Sequence, residues 1–539
     1  MAEETHGPVF WADEVADAIE AREPGEPIVI KGGISPSGIP HLGNANEIIL
    51  GYFVAEVLRE RGHEVRQVFT TDDRDPLRKL PRKLADLEGN IVDLGDVDAG
   101  ALGRNLGKPY TDIPDPFGCC ASYGEHFSSL IQAIADDLEI PIDLVSSTDL
   151  YESGALEPVT RQVLERRDAA REVLAEFQAK VDDDYVPFNP ICEACGKITE
   201  TVTGVDTEAG TISYRCTDLE IGERSIEGCG HEGTATLRDG KLPWRFEWVA
   251  QWAYLGVDFE PFGKDHAEGS WPSGVAIAEE IMDIEPPEPM VYEWFTYEGE
   301  AFSSSTGHVV MVSDVLALIE AAVLKYFFSK DPSRGRDFSI ERIDLLVDEF
   351  DAFEEAYFGE RVEPEHLVRR ASRIYPFLMD DVSERPARLP YTFAAVLAMT
   401  DDPELHRQIA IKEGHLDVDT SDSAVATALE RVERAGRWAA LTDNRFNYEL
   451  KRDTIPTVDL DPAVESALDD IAAVVEGGAA GEDIQSAIFI AAEEYGLEPR
   501  AVFAAGYRLF FDEETGPKLG PFLAELDREF VVARLRREA

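Results

Sequence analysis

The apolar and polar residues between positions 28 and 62 form two patterns separated by a turn. The apolar run 28–30 is typical of a short buried strand, and the run from about 43 to 61 has the period of an amphipathic helix. The glycines, serines and proline at 32–38 are typical of a turn. The pattern predicts a strand, a glycine-rich loop and a helix start, where free backbone N–H groups and a partial positive charge favour phosphate binding.

A second strand is predicted at 65–70, followed by the charged loop 72–75. That loop would lie at the carboxyl edge of a parallel sheet, where open α/β sheets bind ligands. From about residue 308 onward the apolar spacing becomes that of helices. Amphipathic stretches lie at about 340–357, 363–378, 391–398, 403–413 and 423–441, and in the closing part 484–535. The chain is therefore predicted to combine an α/β part with an all-α part.

The composition of the 539-residue chain is strongly acidic, with 107 Asp and Glu against 50 Lys and Arg and a formal net charge of -57. The acids are spread along the chain and 44% of the residues are hydrophobic, which argues against disorder. An acidic surface on a globular core favours solubility in very high salt, where the screening length falls to about 3 Å at roughly 1 M. We therefore expect a halophile's protein, whose acidic surface repels RNA only weakly in that solvent.

Neither a signal peptide nor a membrane span is expected. The start MAEETHGPVF has no basic segment, and no stretch approaches the roughly 18 uninterrupted apolar residues that a span needs. We expect a soluble, cytoplasmic protein without a membrane partner. Six cysteines in such a chain favour metal ligation over disulfides.

Four of these cysteines have the spacing of a zinc ribbon. Cys192 and Cys195 form a C-x2-C pair, Cys216 follows after twenty residues and Cys229 after twelve more. His231 could compete with Cys229 as the fourth ligand, although an all-cysteine site is simpler. A closed tetrahedral site is structural and not catalytic, because it leaves no position open for water.

A second group of metal-binding residue types lies in DPFGCCASYGEH and consists of Asp115, Cys119, Cys120 and His126. Carboxylate, thiolate and imidazole groups all bind zinc. Two adjacent cysteines cannot readily pair with each other, but a tight turn and the following helix turn can direct their side chains to one metal. The alternative is a pair of small buried apolar residues and a surface histidine.

The spacing P-S-G-I-P-H-L-G-N at 36–44 resembles the HIGH signature of class I aminoacyl-tRNA synthetases, with Asn44 in place of the final His. The segments ISPSGIPHLGN and GKPYTDIPDPFG and the closing helical part resemble the class I lysyl-tRNA synthetases, in which the position of Cys120 is commonly His. The resemblance spans Ile34 to Leu535. It implies an α/β Rossmann-type nucleotide-binding catalytic domain with a zinc-binding insertion, plus an all-α C-terminal anticodon-binding domain.

The resemblance divides the chain into five segments. Residues 1–95 and 241–300 would be the two halves of the catalytic domain, 96–240 the insertion with both candidate zinc sites, 301–365 the KMSKS-like loop and connecting domain, and 366–539 the helical anticodon-binding domain. The implied activity is that of a lysine–tRNA ligase, which uses ATP and Mg²⁺ to form lysyl-adenylate and transfers lysine to the 3′ end of tRNA(Lys). Up to two structural Zn²⁺ ions are expected.

The same resemblance implies the residues of the site. His41 and Asn44 would act in catalysis by stabilising phosphate charge. ATP would contact Pro36, Ser37, Gly38, His41, Gly43, Asn44, Gly263 and Asp265. L-lysine would contact Gly33, Trp244, Glu247, Trp248 and His266. In this arrangement Glu247 selects the ammonium group, and aromatic faces cover the methylene stem.

The second class I signature, KMSKS, is altered in this chain. The matching residues 301–307 are AFSSSTG, so both lysines are missing. The catalytic residues expected in this loop are Ser303, Ser304 and Ser305. Magnesium, Lys31 or Lys264 could neutralise the departing pyrophosphate instead of the missing lysines.

Two alternatives to a lysine enzyme stay open. One is a synthetase for another amino acid such as glutamate, which would call for an arginine in place of Glu247. The other is a non-catalytic tRNA-binding relative, suggested by Ala301 and Thr306 where the signature has lysines.

Contacts with tRNA are expected in the closing helical part. Basic and aromatic side chains there could bind phosphates and stack on bases. The candidates are Arg500, Tyr507, Arg508, Lys518 and Phe522. The basic loop 329–337 is a smaller candidate, for which a solvated loop is the simpler interpretation. We favour a monomer.

Overall fold

The computed structural model describes residues 9–178, 180–221, 224–302, 308–444, 446–452, 454, 456 and 458–538. The chain forms two compact units. The first unit consists of Met1–Leu316, Glu320–Ser339 and Gly359–Asp381, and the second of Ala317–Ile319, Ile340–Phe358 and Val382–Ala539. Within the described ranges, no helix is long and apolar enough to cross a membrane. The predicted segment boundaries at residues 95, 240, 300 and 365 stay predictions.

The strands are short, as is usual where a sheet is interrupted by insertions. In chain order they are β1 (Ile28–Ile34), β2 (Val65–Thr71), β3 (Lys83–Ala85), β4 (Ile91–Asp93), β5 (Asp143–Ser146), β6 (Asn189–Pro190), β7 (Val202–Asp206), β8 (Thr211–Arg215), β9 (Leu219–Ile221), β10 (Arg224–Ile226), β11 (Glu232–Thr236), β12 (Gly240–Lys241), β13 (Phe259–Gly263), β14 (Glu288–Tyr292), β15 (Phe295–Tyr297), β16 (Glu300–Ala301) and β17 (Arg336–Phe338).

Helices surround these strands and make up most of the second half of the chain. In chain order they are α1 (Trp11–Glu20), α2 (Leu42–Glu60), α3 (Ala99–Arg104), α4 (Tyr123–Asp137), α5 (Ser147–Glu152), α6 (Glu157–Glu165), α7 (Arg167–Phe177), α8 (Trp244–Leu255), α9 (Lys264–Ala267), α10 (Ser270–Ala276), α11 (Val312–Leu316), α12 (Ala321–Phe328), α13 (Ile343–Phe358), α14 (Glu365–Ile374), α15 (Tyr391–Leu397), α16 (Pro403–Lys412), α17 (Asp422–Thr442), α18 (Pro462–Glu476), α19 (Gly481–Glu494), α20 (Pro499–Phe511), α21 (Leu519–Glu525) and α22 (Arg528–Leu535). Short 3₁₀ turns lie at Leu94–Asp96, Tyr110–Asp112, Ile340–Arg342 and Tyr375–Phe377, and a π-helical turn at Ile277–Met282.

The first unit is built on a five-stranded parallel sheet in the order β14-β13-β1-β2-β5. The chain first moves outward from β1 through β2 to β5, and then returns to the other side of β1 with β13 and β14. This reversal of strand order is the arrangement of a Rossmann-type sheet, and it opens a crevice at the carboxyl ends of the strands on either side of the reversal.

The centre of the sheet follows from the sequence pattern of its first strand and helix. β1 is buried over its first five residues, and α2 buries apolar side chains along its whole length, including Ile48, Phe53 and Leu58. A glycine is required at Gly33, because a Cβ atom there would lie 2.3 Å from the Oγ1 atom of Thr70 on β2. The predicted strand, loop and helix start are therefore present at 28–60.

Between β5 and β13 the chain leaves the sheet to form an insertion. β7, β8 and β11 form an antiparallel sheet, and β6 pairs with β12 where the insertion returns to the main sheet. The cysteines of the predicted zinc ribbon lie in the turns of this insertion, near the end of its antiparallel sheet where Arg215 pairs with Glu232.

The second unit is helical over its described residues and contains α13 and α15–α22. Its C-terminal core is apolar and includes Leu468, Ile488, Leu509 and Val531. The predicted fold class is therefore confirmed: a Rossmann-type α/β unit with an insertion is followed by an all-α C-terminal part.

Candidate functional site

The carboxyl ends of β1, β2, β13 and β14 border a cavity of about 430 Å³, here called the inner cavity. Its walls carry carboxylates and aromatic rings, namely Glu47, Asp72, Glu247, Glu260, Asp265, Trp244, Trp248, Phe262 and Tyr292. Gly33 and His266 line it as well, so all five predicted lysine contacts meet in one place. The cavity is of the size that small-molecule sites usually have, and it lies at the edge where this fold binds ligands.

A second cavity of about 860 Å³, here called the outer cavity, shares Ser35 and Trp244 with the first. Its walls come from the loop after β2, from the insertion and from the loop before α2. Ser37 and Gly38, two of the predicted ATP contacts, line this outer cavity, whereas Pro36 between them and β1 is buried.

The start of α2 is held in shape by its own polar residues. Asn44 Oδ1 accepts a hydrogen bond from the backbone N–H of His41 at 2.8 Å. The His41 ring stacks on Phe302 with a centroid distance of 4.7 Å, and a Cβ atom at Gly43 would lie 2.9 Å from that ring. Burial lowers the pKa of His41 to about 4, so the imidazole is neutral near pH 7 and offers a hydrogen bond without a charge.

Behind the inner cavity, a buried ion pair joins two strands. Lys31 Nζ lies 2.9 Å from Glu260 Oε1, and both side chains are almost completely buried. Trp248 Nε1 donates to Glu260 Oε1 at 2.7 Å, and Trp252 Nε1 donates to Glu260 Oε2 at 2.8 Å. The hydrogen-bonding capacity of Glu260 is therefore used within the protein, and the indole of Trp248 is fixed at the cavity wall.

A second buried carboxylate has a different environment. Glu47 Oε1 accepts from the hydroxyl of Tyr292 at 2.6 Å, and Glu47 Oε2 accepts from the backbone N–H of Gly33 at 3.4 Å. No cation among the described residues forms an ion pair with Glu47. Burial raises the pKa of Glu47 to about 7, with Tyr292 and Gly33 opposing the shift. The inner cavity thus contains a carboxylate that still lacks its counter-ion.

The predicted ammonium ligand, Glu247, already has a cation. It forms an ion pair with Lys241, which also pairs with Asp75. Burial opposes the charge on Lys241, but Asp75 and Glu247 raise its pKa well above the usual range. The Glu247 Oε1 atom is buried and makes no hydrogen bond with the described residues. Lys241 ends the insertion, so this cluster fastens the insertion to the main sheet.

The loop after β13 places two predicted residues at the cavity mouth. A Cβ atom at Gly263 would lie 2.5 Å from the Asp265 carboxylate and 3.4 Å from the Tyr292 ring, so the loop turns back close to the end of β13. His266 Nε2 lies 3.5 Å from Asp265 Oδ2, and the His266 ring packs near Trp244 at 5.8 Å. Asp265 is 65% exposed in its side chain, which leaves it free to accept hydrogen bonds from a ligand.

The predicted tryptophans share one face of a helix. Trp244, Trp248 and Trp252 are four residues apart on α8, which the apolar pattern of this stretch did not reveal. Trp252 is buried, Trp248 is half-buried and Trp244 is exposed, so the series leads from the core to the shared wall of the two cavities.

The serine-rich loop lies outside the described residues at Ser303, Ser304 and Ser305. The two lysines considered as substitutes for its missing cations are both engaged. Lys31 is paired with Glu260, and Lys264 is paired with Glu293 at 2.9 Å on the protein surface.

The four ribbon cysteines come together. The Sγ atoms of Cys192, Cys195, Cys216 and Cys229 all lie within 4.8 Å of one another. Cys229 N also points toward Cys216 Sγ at 3.4 Å, a contact typical of zinc knuckles. His231 Nε2 contacts Glu193 at 2.9 Å, outside this group. The geometry therefore favours an all-cysteine ligand set over one that includes His231.

The second predicted group also converges. One ligand atom from each of Asp115, Cys119, Cys120 and His126 lies within 4.8 Å of the others. His126 Nε2 lies 2.9 Å from the carbonyl oxygen of Ala85, which makes Nε2 the protonated nitrogen and leaves the lone pair of Nδ1 facing the group. That tautomer is the one that a metal ligand requires.

The predicted tRNA residues have mixed surroundings in the second unit. Arg500 is exposed, Arg508 pairs with Glu514, and Lys518 pairs with Glu482. Tyr507 donates its hydroxyl to Pro517 O at 2.8 Å. Phe522 is buried in the helical core, so its ring has no free face for a base.

Sequence reasoning missed Glu47, Tyr292 and Lys241. The signal for Glu47 was a single acid in the first turns of an otherwise apolar helix, three residues after Asn44. Tyr292 and Lys241 stand at the ends of short strands with no motif around them, and only the sheet register brings them to the cavities.

A parallel sheet with a helix start and a cavity at the strand reversal is typical of a nucleotide-binding catalytic unit. The family described as tRNA synthetases class I (K) matches residues 9–379, which include the parallel sheet and all residues that line the two cavities.

Curated relatives extend the similarity over the entire chain. The lysine–tRNA ligase of Halobacterium salinarum is 64% identical over 539 residues, covering 100% of this chain and 98% of that protein. The lysine–tRNA ligase of Haloarcula marismortui is 63% identical over 98% of this chain and 97% of that protein. The lysine–tRNA ligase of Pyrococcus horikoshii is 32% identical over 98% of this chain and 100% of that protein.

The chain belongs to the class I lysine–tRNA ligase family. The resemblance seen in the sequence is thereby confirmed, and the first two relatives come from halophiles, as the acidic composition predicted. A solved glutamate tRNA ligase from Elizabethkingia meningosepticum is similar with a TM-score of 0.40 and 12% identity over 95% of this chain, a level that does not bear on the substrate.

Proposed function

We propose that this chain activates L-lysine with ATP and transfers it to the 3′ end of tRNA(Lys). The observation that carries the proposal is Glu47, a carboxylate that lines the inner cavity near the start of α2 and has no counter-ion among the described residues. A cationic side chain would supply the missing charge, and the helix start would receive the phosphates. Full-length similarity to lysine–tRNA ligases supports the same substrate.

The first step joins the lysine carboxylate to ATP. A carboxylate oxygen attacks the α-phosphorus, a P–O bond forms, and the bond to the β-phosphate oxygen breaks to release pyrophosphate. Neutral His41, Asn44 and the N–H groups at the start of α2 would hold the phosphate oxygens, while Asp265 would accept hydrogen bonds from ribose hydroxyls. No side chain acts as a nucleophile, so the chain contributes position and electrostatic stabilisation.

The second step transfers the lysyl group. A ribose hydroxyl of the terminal adenosine of tRNA attacks the carbonyl carbon of the adenylate, a C–O ester bond forms, and AMP leaves with the electron pair of the broken bond. The proton of the hydroxyl leaves with it, and the departing phosphate is an acceptor within reach. The adenylate and the terminal adenosine of tRNA must therefore be bound at the same time, with the ribose hydroxyl beside the carbonyl carbon of the adenylate.

We assign selection of the lysine ammonium group to Glu47 with Tyr292, in place of Glu247. Glu247 already has a cationic partner, Lys241, which it shares with Asp75, whereas the described residues give Glu47 only neutral donors. Trp248, fixed by Glu260, and the exposed face of Trp244 would cover the methylene stem. Gly33 leaves room beside them, and His266 would contact the activated carboxyl group.

This charge pattern argues against glutamate as the substrate. An anionic side chain in the inner cavity would face Glu47 and Asp72, and Lys31 is already paired with Glu260. Burying like charges together without a cation costs several kcal/mol, which is on the order of the cost of removing one partner of a buried ion pair.

ATP and Mg²⁺ follow from the family, and zinc fits the residues of both side-chain groups. Cys192, Cys195, Cys216 and Cys229 would hold one ion, and Asp115, Cys119, Cys120 and His126 would hold a second. Each would be structural, because four protein ligands fill a tetrahedral site. Metal analysis should find up to two zinc ions per chain, and Cys216→Ser should lower the content by one while leaving the other site filled.

The helical second unit would bind the anticodon. Arg500 and Tyr507 are the stronger of the predicted contacts, because no acid in the described part of this unit pairs with either head group. Ser303, Ser304 and Ser305 would still act at the phosphates. We expect a cytoplasmic monomer.

The deciding experiment is ATP–pyrophosphate exchange in concentrated potassium chloride, with each amino acid supplied singly and with or without total tRNA. We expect exchange with lysine alone. Exchange driven by glutamate would refute the assignment of the inner cavity. A folded protein that binds tRNA but exchanges with no amino acid would be a binding protein on a synthetase fold.

A further inference from the structure

Arg336 on β17 is a buried cation, and it has no carboxylate partner in the described part of the chain. Neutral groups orient its side chain: Nη2 donates to Asn46 Oδ1 at 2.9 Å, and Nη1 donates to the carbonyl oxygen of Phe328 at 3.3 Å. Arg336 Nε and Asn46 Nδ2 are both buried without a hydrogen-bond partner among the described residues. Burying these groups costs free energy, which indicates a role for the contact beyond filling space.

The contact between Arg336 and Asn46 joins the two elements that carry the signature segments. Asn46 lies on α2, which begins directly after His41 of the first signature. Arg336 lies on β17, which pairs with β15, and β15 pairs with β16, which ends at Ala301. The altered second signature, 301–307, starts at that residue. One buried hydrogen bond therefore links the helix of the first signature to the small sheet of the second.

A series of aromatic rings forms a second connection between Arg336 and His41. The guanidinium lies over the ring of Phe328 at 5.4 Å, and Phe328 packs edge-on against Phe295 with a centroid distance of 5.4 Å. Phe295 lies 5.1 Å from Phe302, and Phe302 stacks on His41 with an angle of 14° between the ring planes. These three phenylalanines, here called the aromatic series, lead from the buried cation to the start of α2.

The orientation of the His41 ring depends on the end of this series. His41 Nδ1 is buried and makes no hydrogen bond with the described residues. A Cβ atom at Gly43 would lie 2.9 Å from the His41 ring and 3.3 Å from the Phe302 ring, so both rings lie close to the helix start. A functional side chain is held in place by packing or by hydrogen bonds. For the His41 imidazole, the packing partner is Phe302.

The aromatic series acts without a surface charge. The two lysines that the second signature lacks would act through charge, and salt at roughly 1 M screens exposed charges over about 3 Å. Ring packing and a buried cation are affected much less by salt. Arg336 lines neither cavity, so it does not touch the ligands assigned to them. An effect of Arg336 on lysine activation would therefore pass through the residues that it positions.

We propose that Arg336 and Phe302 are positioning residues for His41 in lysine activation. Arg336 fixes the aromatic series to α2 through Asn46, and Phe302, at the end of that series, holds the imidazole toward the phosphates of ATP. The link between the two signature segments is then made by packing and not by exposed cations. This proposal rests on the proposed function, because it takes His41 to stabilise phosphate charge.

The kinetic test uses Phe302→Leu and Arg336→Lys, alone and together. Each single change should lower kcat of lysine-dependent ATP–pyrophosphate exchange about tenfold and leave the KM for lysine within about twofold, because the imidazole acts on the phosphates. The double variant should fall little further than the single variants, since both changes loosen the same ring. Phe302→Tyr keeps a stacked ring and should retain the unmodified rate.

Arg373→Lys is the matched control. Arg373 also lies over an aromatic ring, that of Phe377 at 5.0 Å, and it lines neither cavity. Its kcat should equal that of the unmodified chain. Equal falls for Arg336→Lys and Arg373→Lys would mean that loss of any arginine–aromatic contact weakens the fold, and they would overturn the proposal.

A measurement on His41 itself does not require activity. Burial holds the pKa of His41 at about 4, so the unmodified chain should show no titration of His41 between about pH 5 and 8. Phe302→Leu and Arg336→Lys loosen the ring and should raise this pKa toward 6.5, which NMR of histidine-labelled protein would detect. His41→Gln assigns the resonance, and Arg373→Lys should leave the titration unchanged. Phe302 is only half-buried, so Phe302→Leu carries the test if Arg336→Lys does not fold.

The two measurements separate this proposal from the proposed function. An unchanged His41 titration in the variants, or falls in kcat that add fully in the double variant, would overturn the positioning role. Absence of lysine-dependent exchange in the unmodified chain would instead overturn the proposed function, and the His41 titration would still decide whether Arg336 and Phe302 position the ring.

Discussion

In the inner cavity Lys31 is held by the buried carboxylate Glu260, whereas at the outer cavity the exposed cations Arg78 and Lys79 have no partner in the described part of the chain. Glu47 and Asp72 line the inner cavity and have only neutral hydrogen-bond partners among the described residues. The inner cavity thus lacks the positive charge that its proposed ligand would bring. In a protein that is acidic overall, a charged residue without an oppositely charged partner indicates where a charged ligand binds. The net charge of the chain does not indicate this.

The wall between the cavities depends most on Lys241. Lys241→Met would leave the buried Glu247 and the half-buried Asp75 without this cation, and removing one partner of a buried pair costs about 3 to 5 kcal/mol. We expect a large fall in the thermal midpoint of the first unit, measured by circular dichroism in concentrated salt.

The control for this change is Lys264→Met. Lys264 is 56% exposed and pairs with Glu293 at the surface, where such a pair contributes about 1 kcal/mol or less. Equal falls in the two variants would mean that the Lys241 cluster does not hold the wall.

The selectivity of the inner cavity should depend on Glu47. Glu47→Gln keeps an acceptor for Tyr292 but removes the negative charge, so a charge-assisted contact with the lysine ammonium is lost. We expect kcat/KM for lysine in pyrophosphate exchange to fall about 100-fold, on the order of 3 kcal/mol.

Glu56→Gln on the same helix is the matched control, because Glu56 makes a surface pair with Arg59. Its exchange rate should stay within twofold. If Glu47→Gln retained full exchange while Glu247→Gln lost it, the ammonium group would belong to Glu247.

The sequence predicted the structure correctly where a motif and a hydrophobic period occur in the same stretch of chain. β1, the glycine loop and the start of α2 were predicted at 28–61 because an apolar run, a turn and a helical period stand next to one another. The eight metal-ligand candidates were predicted for the same reason, since ligand spacing is a local property, and both groups come together in the structure.

The pairing of charges could not be predicted in this way. Glu247 was expected to contact the lysine ammonium group. In the structure, Lys241 of the antiparallel pair β6–β12, at the end of the insertion, forms an ion pair with Glu247. The basic run at 78–83 is visible in the sequence, yet only the tertiary structure reveals that Arg78 and Lys79 line a cavity and have no ion-pair partner among the described residues. Partners far apart in sequence are decided by topology and not by local pattern.

The raised pKa of Glu47 gives the inner cavity a pH dependence. At pH below about 7 Glu47 becomes protonated and no longer attracts an ammonium ion, so the KM for lysine should rise up to tenfold per pH unit as the pH falls. Above that range the KM should level off. Glu47→Gln should flatten this part of the profile, and a profile that is unchanged by the substitution would exclude Glu47.

The same shift has a consequence for stability. The pKa of Glu47 in the folded chain is raised above its ordinary value of 4.5. Protonation of Glu47 therefore stabilises the fold at pH values below 4.5, and this stabilisation is lost as the pH rises through about 7. Bound lysine would remove part of the dependence, since its ammonium group stabilises the ionised carboxylate.

Substitution of Trp244, in the wall shared by the two cavities, should have the smallest effect on the kinetic constants. It also compares the two cavities directly. Trp244→Ala removes an exposed ring that lines both cavities, so the KM for lysine and the KM for tRNA should both rise about five- to tenfold, or roughly 1 to 1.4 kcal/mol. Tyr254 is the control, because it is a similarly exposed aromatic on the same helix and lines neither cavity. Tyr254→Ala should leave both constants unchanged, and a rise in only one constant for Trp244→Ala would assign the ring to that cavity alone.

The tryptophans on α8 also provide an intrinsic fluorescence signal for the inner cavity. Trp248 and Trp252 donate to one carboxylate and pack against Trp271, so their indoles sit in a fixed, partly dry environment at the edge of the inner cavity. Lysine entering beside Trp248 places a cation and new apolar surface against that ring and changes its emission. Occupancy of the cavity can therefore be followed by intrinsic fluorescence, without a label and in concentrated salt, where many other binding signals are masked.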